Sequence, residues 1–192
     1  MRSTPTLVPY SLMLAILGSL AVAAPAHAQS RVGRDSSTRV ARYGRDLVYG
    51  TALGFVYAGV DQLRNDPVEW GKGWPGYEKR LASDVGEFVV QETTTDALAA
   101  VMNRPLDYQR CHCGSAGDRI GWALLAAVTD PTPARGHELA VPRIVGAFAG
   151  SFAQAAWRPA TGSSRTRIGL VNGASSLVIG AGINLFHEFR HR

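Results

Sequence analysis

Lysine is nearly missing from this chain. Only Lys72 and Lys79 occur, so the other 18 of its 20 basic residues are arginine. Such a skew reflects genome composition more than function. Cysteine is almost as scarce: Cys111 and Cys113, with His112 between them, are the only two. One intervening residue would close a small ring, so an internal bridge is unusual and easily reduced. An intermolecular bridge, a partial metal site or a loop closure that tolerates strain is the alternative. Alternating apolar and polar residues of useful strand length are lacking, as are low-complexity tracts. The chain has no G-x-S-x-G, no phosphate-cradling glycine loop and no dinucleotide fingerprint. Its arginines are not interleaved with aromatics, and no nucleic-acid fold signature is present, so nucleic acid is not an expected partner.

The N-terminal stretch carries the clearest signal. Arg2 precedes an apolar run from Ser11 to Ala24, and Ala26-His27-Ala28 follows. A short positive region, an apolar region of this length and an A-x-A site predict a signal peptide over 1–28, with export to the bacterial periplasm or envelope membrane. Cleavage would leave 164 residues from Gln29, with 19 bases against 15 acids, a formal charge of +4. That length suits one domain. Residues 29–38 are polar and predict a mobile leader, and 39–192 predict a single α-helical domain. Arg31, Arg34, Arg39, Arg42 and Arg45 cluster near the new N-terminus, a pattern that suits contact with anionic lipid or nucleic acid, against the blander reading of a solvated, frayed leader.

Five helices are expected. The first runs from about Thr38 to Leu63, uncharged from Leu47 to Val60 and stopped by Asn65-Asp66-Pro67. A helix apolar on every face belongs in a bundle or in lipid. A loop with Trp70 and Trp74 leads to a second helix, Tyr77 to Met102. It sets Leu81, Val85, Phe88, Val89, Ala99 and Met102 against Arg80, Asp84, Glu87, Gln91 and Thr94. That division predicts one core face and one wet face. The third helix is expected from Asp118 to about Thr129, and the fourth from Glu138 to Trp157 with Pro142 in its first turn. The last begins near Arg165, with no charge between Ile168 and Phe186.

Glycines recur at a spacing of four in Gly50/Gly54, Gly117/Gly121, Gly146/Gly150 and Gly169/Gly173. Small residues so spaced let helix backbones approach closely, as in lipid-embedded bundles. Each also costs a water-exposed helix about 1 kcal/mol relative to alanine. Close packing of these helices, against one another or a second copy of the chain, is therefore expected. A spanning helix needs about 20 mainly apolar residues. Ile168–Phe186 meets that length, although Asn172, Ser175, Ser176 and Asn184 dilute it. The second helix reads as too charged to span, and the fourth contains Arg143 and Gln154. A peripheral or partly inserted bundle follows.

Chemistry-bearing residues are few. His187-Glu188-Phe189-Arg190-His191 reads H-E-x-x-H and resembles the zincin signature, in which two histidines ligate zinc and the glutamate acts as general base. A catalytic zinc needs a third protein ligand, and only Arg192 follows. His112, Cys111, Cys113, His137 or an acid would have to supply it. The competing reading places His187, Arg190, His191 and Arg192 as basic groups meeting the negative end of a helix dipole. Cys111-His112-Cys113 could hold a soft metal only with help from a residue such as His137. Otherwise it is a plain loop, and His137 simply precedes the fourth helix. Glu87, Glu92 and Asp96 on the second helix suit acid–base work or a wet face. No cofactor is expected, zinc being the alternative.

Several short motifs occur in a telling order. After Asn65-Asp66-Pro67 come Arg119-Ile120-Gly121-Trp122-Ala123-Leu124, Arg143-Ile144-Val145-Gly146-Ala147, Trp157-Arg158-Pro159, Gly169-Leu170 and Gly182 to Phe189. Together they resemble a family of exported bacterial helical proteins with no established activity. In that family pattern the Glu-Phe recurs without flanking histidines. The resemblance therefore implies an exported, envelope-associated helical protein in which Glu188 is structural. The sequence expectation is thus an all-α bundle of about five helices that acts, without enzymatic chemistry, through contacts with itself, lipid or another envelope protein. A zinc hydrolase using His187, Glu188 and His191 is the alternative, and a thiol or metal role for Cys111 and Cys113 the weaker third.

Overall fold

Helix α1, Gln29–Arg64, opens the described chain. The computed structural model describes residues 29–132, 136–159 and 164–190. The expected signal peptide and His191 lie outside them. Residues 29–38, expected as a leader, are helical; they contain no proline to stop the helix. Arg39–Arg192 forms one compact unit. α1 ends where Asn65 takes φ +56°, a left-handed conformation asparagine tolerates at a helix C-terminus.

A 3-10 turn, Val68–Trp70, leads to α2, Trp74–Val101. Gly73 precedes α2 at φ +84°, and Pro75 lies in its first turn, where the missing N–H costs nothing. Arg80 fastens this corner from below. Its guanidinium donates to the carbonyls of Asp66 (2.8 Å), Gly71 (2.9 Å) and Pro67 (2.9 Å), and to Gln62 Oε1 (2.7 Å).

α3 is Ala116–Leu125, capped by Ser115, whose Oγ accepts from the Asp118 N–H at 3.1 Å. It stops short of the expected Thr129 because a hairpin begins there. β1, Thr129–Thr132, pairs antiparallel with β2, Gly136–Leu139, with Thr129 opposite Leu139. The hairpin also displaces the start of the next helix, so α4 runs from Val141 to Trp157 rather than from Glu138. α5 is Arg165–Phe189, capped by Ser164 Oγ on the Arg167 N–H at 3.2 Å.

The fold is the expected all-α bundle of five helices. α4 packs on both α2 and α5, and α3 packs on α5. α1 reaches α2 through Gly50, whose Cα side faces the Phe88 ring, and through Gly54 against Val85. Gln154 meeting Asp84 while Gly146 meets Thr95 makes α4 antiparallel to α2.

Side-chain size is distributed unusually. Every fully buried hydrophobic residue described is an alanine, among them Ala58, Ala99, Ala123, Ala147 and Ala155. Large apolar residues lie outside: Val48, Phe55, Val56, Val171, Val178 and Phe186 are all more than half exposed. α1 buries Gly50, Gly54 and Ala58 in one seam, four residues apart, and turns its bulky residues outward.

Candidate functional site

Polar groups fill the interior that the bulky residues vacate. The side of α2 expected to be wet faces inward: Arg80 is fully buried, and Asp84, Glu87, Gln91 and Thr94 are half-buried. The expected wet face is therefore corrected, while the apolar side also packs, with Phe88 and Val85 against α1 and Ala99 buried. Gly146 and Gly150 bring α4 so near that an added Cβ would lie 2.8 Å from the Gln91 carbonyl oxygen and 2.7 Å from that of Glu87. At that separation short polar side chains bridge the helices directly.

Ser151 Oγ donates to Glu87 Oε1 at 2.6 Å, and Gln154 Nε2 to Asp84 Oδ1 at 3.1 Å. Trp157 Nε1 donates to Ser83 Oγ at 3.1 Å. α5 joins through Asn172 Nδ2, which donates to Gln154 Oε1 at 3.0 Å. Arg158 closes one end of this ladder. Its guanidinium lies 2.6 Å from Asp61 on α1, 3.5 Å from Asp66 and 3.9 Å from Asp84 on α2. At the other end Arg42 bridges Asp96 and Asp46, and Tyr43 and Thr93 share a hydrogen bond of 2.8 Å. Two buried carboxylate oxygens, Asp84 Oδ2 and Asp96 Oδ2, have no hydrogen-bond partner among the described residues.

A second polar centre holds the C-terminal end of α5. Glu188 is 1% exposed. Its Oε1 accepts from Arg119 Nε at 2.8 Å; its Oε2 accepts from the Tyr108 hydroxyl at 2.8 Å and the Cys111 N–H at 3.0 Å. Arg119 also donates to the Glu188 carbonyl and lies over the Phe189 ring at 4.5 Å. Burial, and then the bond to Glu188, push the Tyr108 hydroxyl up, so it stays a donor.

With both oxygens so engaged, Glu188 acts as an anchor between α5 and the segment before α3. His187 is exposed, its ring edge-on to Phe186 at 6.1 Å between centroids. His137 sits in β2, edge-on to Trp122 at 4.9 Å, with Nδ1 3.3 Å from Thr129 Oγ1. Cys111 and Cys113 are joined by a disulfide, with His112 exposed between them. Among the described residues no group of three or more His, Cys, Asp or Glu is placed to hold a metal ion.

Three of the four glycine pairs lie at helix contacts. Gly50 and Gly54 meet α2, Gly146 and Gly150 meet α2 from the other side, and Gly169 and Gly173 receive the rings of Phe152 and Phe148. Gly117 and Gly121 do not: Gly121 has no heavy atom within 4 Å of its Cβ position, and Gly117 has only its own cap, Ser115 Oγ, at 3.8 Å. α3 presents that side to open space.

Sequence reasoning passed over Ser83, Ser151, Asn172, Tyr108 and Arg119 as site residues. The sequence signal toward this site is the narrow polar edge of α4, where Ser151 falls with Arg143, Gln154 and Arg158. No family model, no characterised protein and no solved structure matches this chain.

Proposed function

We propose that this chain is an exported membrane protein of the bacterial envelope, a non-enzymatic bundle embedded in lipid that works through helix packing. One observation carries the reading: bulky apolar side chains point outward, while glycine, alanine and charged groups point inward. Water drives large apolar groups inside. Lipid does not, and helices in it associate through small residues and interhelical hydrogen bonds, with charges turned to the interior and paired.

The boundaries of the apolar surface support the same reading. Leu47–Val60 on α1 and Ile144–Trp157 on α4 are each 14 residues without charge, about 21 Å at 1.5 Å per residue. α5 is long and apolar enough to cross a membrane, and 11% of its most apolar window is buried. Trp70, Trp74 and Tyr77 lie at the α1–α2 turn and Tyr108 and Trp122 near the opposite end, as interfacial aromatics do. Asp84, Glu87 and Asp96 of α2 are no obstacle, because they face α4 or α1. A thickness of about 21 Å is less than the usual 30 Å or so, which local thinning of the bilayer accommodates.

Fractionation of expressing cells tests this. The protein is expected in the membrane pellet, resistant to alkaline carbonate and released by detergent. Recovery in the soluble fraction, or release by carbonate, would refute it.

A further inference from the structure

We infer that Asp84 is a proton-binding site on the seam between α1, α2 and α4. The setting rests on the membrane reading above; the site itself rests on the charge arrangement. Its side chain is 10% exposed. Oδ1 accepts from Gln154, while Oδ2 is buried without a donor.

The groups facing Asp84 supply too little positive charge. α1 presents Asp61, its turn Asp66, α4 presents Arg158, and α2 itself carries Glu87 one turn on. Arg158 is the cation they share, and it lies nearer Asp61 (2.6 Å) than Asp84 (3.9 Å). α5 contributes the neutral Asn172, which reaches Gln154. Arg80, the buried cation on this stretch of α2, gives its N–H groups to the carbonyls of the α1–α2 turn and to Gln62 and Asn65, and its neighbour Lys79 is exposed.

An anionic oxygen buried without a donor is costly, and such a group neutralises rather than stay charged. The neutralisation is simple: hydronium gives its proton to Oδ2, so one O–H bond of hydronium breaks, one O–H bond forms on the carboxyl, and water is released. The new hydroxyl is then a donor among the carboxylates of Asp61 and Glu87. Arg158 passes wholly to Asp61, so proton uptake weakens one tie between α4 and α2. The carboxylates do not converge as a metal-binding group, which favours a proton over a metal ion. Ionisable groups buried in membrane bundles are typical proton carriers.

The test uses the full chain in native membranes and dicyclohexylcarbodiimide, an apolar reagent for protonated carboxyls, with adducts located by peptide mass spectrometry. Asp84 is expected to be labelled at neutral pH, with labelling falling about tenfold per pH unit above its midpoint. The exposed Asp107 should stay unmodified. An unlabelled Asp84, or labelling independent of pH, would overturn the inference. So would protection by added sodium at constant pH, which would indicate a metal cation. Wild-type mapping needs no variant; Asp84→Asn, which keeps a carbonyl for Gln154, should abolish the adduct. Carbonate extraction of the same membranes separates the two claims. A chain that labels but is stripped loses only the membrane reading, and one that resists stripping but does not label loses only the proton site.

Discussion

Arg119 and Glu188 are 69 residues apart in sequence and 2.8 Å apart in space. Their contact, reinforced by Tyr108 and the Cys111 N–H, ties the last turn of α5 to α3 and the segment before it. Removing one partner of a buried pair strands the other, at a typical cost of about 3–5 kcal/mol. Arg119 is about a third exposed, so Glu188→Ala should fall at the lower end of that range. Urea denaturation in detergent would read it, and a change under about 1 kcal/mol, the scale of an exposed pair, would refute the anchor.

The same pair sets a pH dependence. Protonating the Glu188 carboxylate removes the charge that Arg119 faces and weakens the hydrogen bonds it accepts. Stability from the ionised pair is therefore lost once acid protonates Glu188, whereas glutamine has no charge to lose. The urea midpoint should fall further on acidification in the wild type than in Glu188→Gln. Parallel profiles would show that Glu188 is not the group responsible.

Arg80 invites a sharper substitution. Lysine preserves its charge but brings a point ammonium in place of a planar fork, and one ammonium cannot serve carbonyls on Asp66, Pro67 and Gly71 together with Gln62. Arg80→Lys should therefore lose much of what Arg80→Ala loses, about 1–3 kcal/mol for each buried carbonyl left without a donor in the latter. Limited proteolysis should cut both variants between Asn65 and Gly73. A lysine variant as stable and as resistant as wild type would mean that charge alone holds the turn.

How much of this was legible in sequence depends on the range of each interaction. Helices α1, α2, α4 and α5 followed from uncharged runs and from stops such as Asn65 and Pro67, which are local signals. The hairpin was not legible, because Thr129-Asp130-Pro131-Thr132 has no alternation and acquires strand form only by pairing with Gly136–Leu139. The α3 start was missed by two residues although Ser115 and Asp118 form a recognisable cap. The acids of α2 were read as a wet face because periodicity separates polar from apolar without saying which side is inside. That choice depends on the solvent around the bundle. Glu188 was read as structural, but Arg119 and Tyr108 are 69 and 80 residues away, beyond any local pattern.

The disulfide loop separates a backbone role from a thiol role. Cys111 reaches Glu188 through its N–H, which alanine retains. Cys111→Ala/Cys113→Ala should therefore keep the anchor, with its acid-sensitive urea profile unchanged from wild type. A profile flattened to that of Glu188→Gln would show instead that the bridge itself positions the N–H.

Glycine pairs offer a comparison within one molecule. An added methyl at Gly146 would meet Thr95 and lie 2.8 Å from the Gln91 carbonyl oxygen, which helix backbone cannot yield cheaply. At Gly121 it would meet nothing within 4 Å. Gly146→Ala should thus push α4 off α2 and destabilise by about 1–3 kcal/mol, the usual cost of overpacking. Gly121→Ala should stabilise α3 by up to about 1 kcal/mol, because alanine is the better helix former. Thermal unfolding of the two variants in the same detergent reads both signs. If both stabilise, the α2–α4 contact is looser than these distances; if both destabilise, the open side of α3 is covered by something that a methyl displaces.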